Sequence, residues 1–288
     1  MHVRVPATSA NLGPGFDCAG LALALYDDVV VEVTPAGLDI EVAGEGEASV
    51  PRDERHLLIA SLRATFDALG AQPAGLSVRC TNRIPHSRGL GSSSAAIVAA
   101  VLAARGLVQD GEQRLDDAAC LRLADHLEGH PDNVAACLLG GLTLAWTEPG
   151  GARAVRLEPH RDLAPVVLVP QQTCSTRHVR ALLPAAVPHG DAAFNAGRAA
   201  LLVHALTCDP QLLVPASADL LHQPYRAPAM PATDALVQQL RDEGVPAVVS
   251  GAGPSVLALS RTWDQALGER PGWRVLPVEV AHRGAHVV

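Results

Sequence analysis

Apolar positions along the chain alternate between the spacing of strands and the spacing of helices. Short runs rich in Val, Leu and Ala predict strands at residues 29–33, 76–81, 142–146, 164–169 and 273–280. Apolar residues that recur every three or four positions predict helices at residues 56–69, 94–107 and 114–127. Residues 245–260 have the pattern of a strand, a glycine turn and a second strand. Because strands and helices mix without strict βαβ alternation, the pattern predicts an α+β fold with two lobes.

The length and composition fit a globular protein of two domains. The chain has 288 residues, of which 48% are hydrophobic and 18% are charged, and this is enough for two cores of modest size. Residues 147–161 contain prolines and glycines, which predict a boundary in this stretch. We expect an N-terminal domain of residues 1–150 and a C-terminal domain of residues 151–288.

Charge and cysteine content narrow the choice of partners and compartment. The formal net charge of -8 argues against nucleic-acid binding, since a phosphate backbone requires a basic face. No apolar run reaches the roughly 18–20 residues of a membrane helix, and the first residues lack the apolar segment of a secretion signal. The 6 cysteines are scattered and form no CxxC pair. We therefore expect a cytoplasmic protein with reduced thiols, which binds neither nucleic acid nor membrane.

The chain contains no lysine, because all 22 of its Lys and Arg residues are arginines. This composition excludes a Walker A loop, a protein-kinase lysine and Schiff-base chemistry on lysine, since each of these depends on an ammonium group. Any phosphate chemistry must therefore use backbone amides, arginines, hydroxyls and a metal ion.

The most informative local motif is a loop rich in glycine and serine, which follows a predicted strand and opens a predicted helix. Gly89 and Gly91 leave room for a ligand close to the backbone, and the helix start offers free amides and a positive dipole end. Three consecutive hydroxyls follow at Ser92, Ser93 and Ser94. These features predict a phosphate-binding loop that needs no lysine. The alternative is a plain turn in which Ser92 or Ser93 caps the helix.

Two other segments combine turn-forming residues with small polar ones. In residues 6–17 the chemical candidates are Asn11, which can donate and accept, and Asp17, which can accept from an amine or a hydroxyl. Residues 250–255 lie between apolar runs and allow a tight bend beside a ligand or another loop. The alternatives are a structural turn with Asp17 as a cap, and a simple hairpin turn at residues 250–255.

Four segments, in this order, resemble the GHMP kinase superfamily and, within it, the homoserine kinases. They are PATSANLGPGFD at residues 6–17, GLGSSSA at residues 89–95, EGHPDNVA at residues 128–135 and SGAGPS at residues 250–255. The glycine-serine loop is common to the whole superfamily, whereas the first segment and residues 130–133 are more specific. The resemblance spans almost the whole chain.

The resemblance implies a fold, a reaction and partners. The implied fold is two-lobed, with an N-terminal nucleotide-binding domain like domain 2 of ribosomal protein S5, a ferredoxin-like C-terminal domain, and ATP in the cleft between them. The implied reaction is Mg²⁺-assisted transfer of the γ-phosphoryl group of ATP to the side-chain hydroxyl of L-homoserine, on the route to threonine. Members of the family are often dimers, so a homodimer is the assembly to expect.

The resemblance also implies which residues hold the nucleotide and the metal. The residues expected to bind the phosphates are Pro85, His86, Ser87, Arg88, Gly89, Leu90, Gly91, Ser92, Ser93 and Ser94. Ser93 matches the family serine near the metal, and Glu128 matches the carboxylate for Mg²⁺. In many relatives several residues separate that glutamate from the histidine, whereas here only Gly129 lies between Glu128 and His130. The assignment therefore assumes a deletion, and the alternative is a solvated glutamate at a helix end.

For the acceptor, three positions match substrate contacts of the family, namely Asn11, His130 and Asn133, and Asp17 can pair with the ammonium or contact the hydroxyl. Arg180 follows Val179 in a stretch that resembles Ser-Thr-x-x-Ala-Arg, with valine in place of the usual alanine. We expect Arg180 to bind the substrate carboxylate, together with Arg226, which resembles a second family arginine. Asp17 and Thr176 are the catalytic candidates, and no residue is assigned as the general base.

Three other functions stay open at this point. A different small-molecule kinase of the superfamily, acting on mevalonate or diphosphocytidyl-methylerythritol, would be identified by turnover of that acceptor. A nucleotide-binding regulator without activity would be expected to have a broken glycine loop or no metal carboxylate, and neither defect is evident. A serine hydrolase would need a GxSxG elbow, which the sequence lacks.

Overall fold

A computed structural model describes residues 1–260 and 270–288. The strands are β1 (His2–Ala10), β2 (Ala19–Thr34), β3 (Gly37–Gly44), β4 (Gly75–Asn82), β5 (Leu142–Glu148), β6 (Gly151–Leu157), β7 (Ala164–Pro170), β8 (Ala247–Val249), β9 (Val256–Ser260), β10 (Trp273–Pro277) and β11 (His286–Val287). The α-helices are α1 (Leu57–Ala68), α2 (Ser92–Leu107), α3 (Gly111–Arg114), α4 (Asp117–Glu128), α5 (Pro131–Leu139), α6 (Thr176–Arg180), α7 (His189–Thr207), α8 (Leu213–Ala216), α9 (Gln223–Arg226) and α10 (Pro231–Asp242). Within these described ranges, no helix has both the length and the apolar character that crossing a membrane requires.

The first sheet has seven strands and is covered by helices of the N-terminal half. Strands β11, β1, β2, β4 and β3 lie in this order, and β2 also pairs with β5, which pairs with β6. Helices α2 and α5 contact the strands, while α1 and α4 pack against α2. Helix α2 is buried along most of its length, because its many alanines allow the neighbouring elements to approach closely.

The second sheet has four antiparallel strands in the order β10, β7, β9 and β8, and α10 packs against β8 and β9. Successive side chains of β7 point to opposite faces. Val166 and Leu168 belong to the apolar cluster beneath α10, whereas Val167 and Val169 belong to a larger core that also includes the first sheet. The two lobes therefore share apolar packing, and the predicted α+β class with two lobes is confirmed.

The first sheet extends beyond residue 150, where the sequence pattern places a domain boundary. Strands β5 and β6 form an antiparallel hairpin that closes between Glu148 and Gly151. The proline and glycines around residue 150 thus belong to a hairpin turn, and the chain passes to the second sheet only after Leu157. The chain returns to the first sheet at its C-terminal end, where β11 pairs with β1.

The segment at residues 6–17 is half strand and half loop. Residues 6–10 belong to β1, and the register between β1 and β2 shifts between Pro6 and Ala7. Such an irregularity accommodates a proline, which cannot donate to the ladder of hydrogen bonds. The loop proper begins at Asn11, which has a φ of 67°, and it ends near Asp17, with a φ of 53°.

Candidate active site

A cleft of about 250 Å³ lies where the loop after β1, the glycine-serine loop and the second lobe meet. The predicted site residues that line this cleft are Asn11, Asp17, Ser87, Gly89, Leu90, Gly91, Ser92, Ser93, Glu128, His130, Asn133, Thr176, Arg180 and Arg226. They come from segments far apart in sequence, so the fold brings together most of the set that the motifs suggest.

The glycine-serine loop ends in an uncapped helix start. Gly91, with a φ of 70°, is the residue before α2, and no side chain caps the helix. The amides of the first helical residues have no carbonyl within the helix to bond, and the positive dipole end lies beside them. Ser92 and Ser93 therefore do not act as caps but line the cleft, and the helix start is suited to bind an anion.

The loop at residues 250–255 braces the glycine-serine loop. The Ser250 hydroxyl donates to the carbonyl oxygen of Gly89 (2.7 Å) and shares a second hydrogen bond with the Ser9 hydroxyl (2.8 Å). A Cβ atom on Gly89, whose φ is +71°, would collide with the backbone of Ser250. This close approach explains why glycine is required at residue 89.

Glu128 lies against the serines of the loop despite its short distance in sequence from His130. Its carboxylate accepts hydrogen bonds from the hydroxyls of Ser93 (2.7 Å) and Ser94 (2.9 Å). Gly129, with a φ of 90°, ends α4 in the left-handed conformation, and His130 already precedes α5. Two residues, Gly129 and His130, are thus enough to connect the helices and keep the carboxylate at the loop.

The oxygen atoms around Glu128 are of the kind that Mg²⁺ prefers. A carboxylate and two hydroxyls are hard donors, and Mg²⁺ in proteins commonly binds one or two carboxylates together with substrate phosphates. In the part of the chain that the structure describes, no group of three or more His, Cys, Asp or Glu side chains could hold a metal. The donor set therefore fits a metal that also binds phosphate oxygens.

At the other end of the cleft, Asp17 and Arg180 form an ion pair. The two guanidinium Nη atoms of Arg180 donate to the two carboxylate oxygens of Asp17, at 3.0 and 2.7 Å. Asn11 holds this loop in place, because its side-chain oxygen accepts from the backbone amide of Asp17 (3.0 Å) while its amide nitrogen donates to the Gly251 carbonyl (2.8 Å). Both of the hydrogen-bonding groups of Asn11 are therefore used within the protein.

Arg226 is a buried cation without a carboxylate partner. Its side chain lines the cleft although only 2% of the residue is exposed. Its Nη1 lies 3.3 Å from His222 and 3.4 Å from the Gly251 carbonyl, its Nε has no partner, and no carboxylate of the described residues is within ion-pair distance. Burial, together with the charge of Arg180, lowers the pKa of Arg226, yet a guanidinium remains protonated in proteins.

His130 and Asn133 lie on the wall of the cleft at the start of α5. The Asp132 carboxylate bonds to Nδ1 of His130 (2.9 Å) and accepts from the backbone amide of Asn133 (2.8 Å). The hydrogen bond that His130 makes to the Asp132 carboxylate raises the pKa of His130. The Asn133 side chain accepts from the Thr8 hydroxyl (2.8 Å), which fixes its orientation next to Gly91.

Four of the residues predicted to hold phosphates do not line the cleft. The guanidinium of Arg88 donates to the carbonyls of Pro170 and Gln171, each at 3.0 Å, and so connects the loop to the end of β7. Pro85 lines neither the cleft nor the second cavity that is adjacent to it. The Ser94 side chain is buried against Glu128. His86 lines a neighbouring cavity instead.

This second cavity, of about 280 Å³, shares Ser87, Ser92 and Ser93 with the cleft. Its other lining is largely apolar, with two buried polar groups. His56 precedes α1, its Nδ1 accepts from the Leu58 amide (3.2 Å), and its buried Nε2 has no partner. Burial lowers the pKa of His56 and raises that of Asp27 to about 6. No motif points to either residue, although the helix start predicted at His56 locates the first of them.

Comparison with known proteins gives a consistent result. Residues 56–141 match the family "GHMP kinases N terminal domain", and residues 208–269 match "GHMP kinases C terminal". The chain is 65% identical to a homoserine kinase of Streptomyces coelicolor over 90% of this chain and 84% of that relative. It is 60% identical to a homoserine kinase of Streptomyces avermitilis over 100% and 95% of the two chains. A crystal structure of homoserine kinase from Cytophaga hutchinsonii superposes with a TM-score of 0.84 at 27% identity, over 100% of this chain and 97% of that one.

Proposed function

The chain belongs to the GHMP kinase family and, within it, to the homoserine kinases, and on this basis we propose that it transfers the γ-phosphoryl group of ATP to the side-chain hydroxyl of L-homoserine. The product, O-phospho-L-homoserine, would serve the synthesis of threonine. The 6 cysteines are free thiols, which supports the cytoplasm as the proposed compartment. A homodimer stays the expected assembly.

The buried, unpaired Arg226 is the observation that most strongly supports an amino acid as the acceptor. An uncompensated buried cation is costly unless a ligand supplies the missing anion. Next to it, Asp17 and Arg180 pair with each other. A zwitterion fits this arrangement, because its ammonium can pair with Asp17 while its carboxylate bonds to Arg180 and Arg226. A neutral alcohol such as a sugar would leave Arg226 unpaired.

The two connected cavities fit the two parts of ATP. The triphosphate would bind along the glycine-serine loop, where the first amides of α2 and the three hydroxyls replace a lysine. The nucleoside would occupy the apolar second cavity, which meets the cleft at Ser92 and Ser93. There the Nε2 of His56, which carries the proton because Nδ1 accepts a hydrogen bond, would donate to the base.

Ser93 and Glu128 would hold Mg²⁺ beside the phosphates. When bound, the ion neutralises charge on the transferring phosphoryl group. The protein must then keep the acceptor hydroxyl in line with the γ-phosphorus, and Asp17, Arg180 and Arg226 would contribute by fixing the ammonium and the carboxylate on the α-carbon of the amino acid. The new bond from the hydroxyl oxygen to phosphorus forms as the bond to the ADP oxygen breaks.

Chemistry of this kind does not require a strong base. The transition state of phosphoryl transfer is loose, so the hydroxyl proton leaves late. We propose Thr176 and Asp17 as the groups nearest to the reacting hydroxyl, since both line the cleft beside the acceptor end. His130, oriented by Asp132, would contact the substrate from the opposite wall.

The decisive experiment measures ADP release with Mg-ATP and a series of acceptors. We expect turnover with L-homoserine, and not with mevalonate, galactose or shikimate. An Arg180→Leu variant is expected to raise KM for L-homoserine by about tenfold or more, because it loses a charge-assisted contact to the carboxylate. Turnover of mevalonate in preference to L-homoserine would refute the proposal.

A Glu128→Gln variant is expected to lower kcat by about 100-fold or more and to shift the Mg²⁺ dependence to higher concentration, since a neutral amide is a weaker ligand for a hard cation. The measurement is kcat as a function of Mg²⁺ at saturating substrates. Glu112→Gln, at an exposed glutamate on α3, is the matched control and should behave as the unsubstituted enzyme. An unaltered Mg²⁺ dependence in Glu128→Gln would remove Glu128 from the metal site.

A further inference from the structure

His222 lies at the junction of the acceptor loop and the helix that bears Arg226. It directly precedes α9 and is fully buried. The carboxylate of Asp219 accepts from the backbone amides of His222 (3.2 Å) and Gln223 (2.7 Å) and so fixes the turn. The imidazole stacks on the ring of Phe16, with the centroids 5.0 Å apart and the planes at 23°.

Both ring nitrogens of His222 have partners, and these partners determine where the proton lies. Nε2 is 2.9 Å from the carbonyl oxygen of Gly13, and Nδ1 is 3.3 Å from Nη1 of Arg226. A carbonyl can only accept and a guanidinium can only donate. The ring is therefore neutral, with its proton on Nε2 and the lone pair of Nδ1 directed at Arg226.

We propose that His222 is a positioning residue for acceptor binding, which holds the Arg226 guanidinium at the site of the substrate carboxylate and fastens it to the loop of residues 11–17. This inference rests on the proposed function. His222 touches no substrate, and it acts through its two partners. Gly13 lies in the same loop as Asp17. The imidazole therefore connects Arg226, which would bind the substrate carboxylate, with the loop that carries Asp17, which would bind the ammonium.

The arrangement requires a neutral imidazole. The charged groups around the ring are Arg226 on α9, Asp219 on the preceding turn, with Oδ2 at 3.5 Å from Nε2, and Asp17, which follows Phe16 in the loop of residues 11–17. Burial has the largest effect and lowers the pKa of His222; Arg226 also lowers this pKa, whereas Asp219 and Asp17 raise it, and the net direction is downward. The ring is thus neutral near pH 7. At lower pH a proton on Nδ1 of His222 would face the N–H of Arg226, and the hydrogen bond between them would be lost. Acceptor binding should therefore weaken as pH falls.

Two variants separate positioning from simple packing. His222→Gln keeps one donor and one acceptor but cannot titrate, whereas His222→Leu fills space without either group. We expect His222→Leu to raise KM for L-homoserine at least about tenfold, because the bond to a charged group is lost, with KM for ATP unchanged. We expect His222→Gln to stay within about threefold of the unsubstituted enzyme and to lose the acid-side fall of kcat/KM for L-homoserine.

Circular dichroism and the melting temperature of each variant accompany the kinetics. Equal impairment of both variants, with KM for ATP raised as well, would overturn the inference, and so would an unchanged KM for L-homoserine in His222→Leu. If His222→Leu does not fold, the pH profile of His222→Gln decides alone, since an acid limb like that of the unsubstituted enzyme excludes His222. An unsubstituted protein that is inert toward L-homoserine overturns the proposed function and this inference with it.

Discussion

Replacing Arg226 with methionine is expected to lower kcat/KM for L-homoserine by about 100- to 1000-fold, while KM for ATP stays near its original value. The reason is that a buried, hydrogen-bonded charge pair contributes roughly 2–5 kcal/mol to a complex when one partner is removed. Arg226 lines the cleft but not the second cavity, which is proposed for the nucleoside, so the loss should fall on the acceptor.

The same substitution should not lower the stability of the protein without substrate. Arg226 has no carboxylate partner among the described residues, and the end of the cost of burying its charge should offset the loss of its contacts with His222 and the Gly251 carbonyl. Methionine fills the space with a flexible apolar chain. The melting temperature is therefore expected to stay unchanged or to rise while activity falls, which is typical of a residue kept for binding.

Arg241→Met is the matched control. Burial lowers the pKa of Arg241 too, but its guanidinium donates to the carbonyls of Ser217 (3.1 Å) and Val214 (3.3 Å), and it lies outside the cleft. We expect this variant to be destabilised by about 1–3 kcal/mol with KM for L-homoserine unchanged. If Arg226→Met lost stability like the control and kept its KM for L-homoserine, Arg226 would be a structural residue and not a binding group.

Replacing Gly89 with alanine is expected to lower kcat/KM for ATP by at least about 100-fold. The added Cβ would collide with the backbone of Ser250 and would lie within contact distance of Gly253. Neither neighbour can yield as a flexible side chain does, so the glycine-serine loop must move. A displacement near 1 Å at a catalytic site is enough for such a loss.

Gly37→Ala separates this collision from the strain of the backbone. Gly37 also has a positive φ, of +84°, but nothing lies within 4 Å of its added Cβ. The Gly37→Ala variant should therefore lose only roughly 1–2 kcal/mol of stability, the cost of a left-handed residue, and its steady-state rates should not change. Nucleotide binding, followed by calorimetry, and steady-state rates give the comparison. Equal kinetics of the two alanine variants would mean that the loop at residues 250–255 does not position the phosphates.

Elements with a strong local pattern could be predicted from the sequence, and elements that depend on distant pairing could not. Helices α1 and α2 follow the predicted spans closely, because their apolar spacing and their end residues are local features. The start of the chain shows the opposite case, since Pro6 and the small polar residues after it favour a turn on their own. Pairing with β2 makes them a strand, and the bulge beside Pro6 removes the conflict.

In the candidate site, too, local motifs predict which residues take part, whereas the contacts of their side chains depend on distant parts of the chain. The resemblance locates Arg226, but only the fold reveals that the guanidinium is buried without an anion. His222 gives no indication of its own in the sequence, because its partner Gly13 lies 209 residues away. Arg88 belongs to the predicted phosphate loop by position, yet its guanidinium donates to the carbonyls at the end of β7. The direction of a side chain follows from the packing of both lobes, which no local motif records.

The pairing of β11 with β1 means that the C-terminal lobe is inserted within the N-terminal one. The polypeptide leaves the seven-stranded sheet after β6 and comes back to it for its last strand. No single cleavage of the chain can therefore yield two fragments that each contain one complete sheet. The cleft between the lobes is therefore formed by one continuous chain, and neither lobe can be separated from the other by a single cut that leaves both sheets complete.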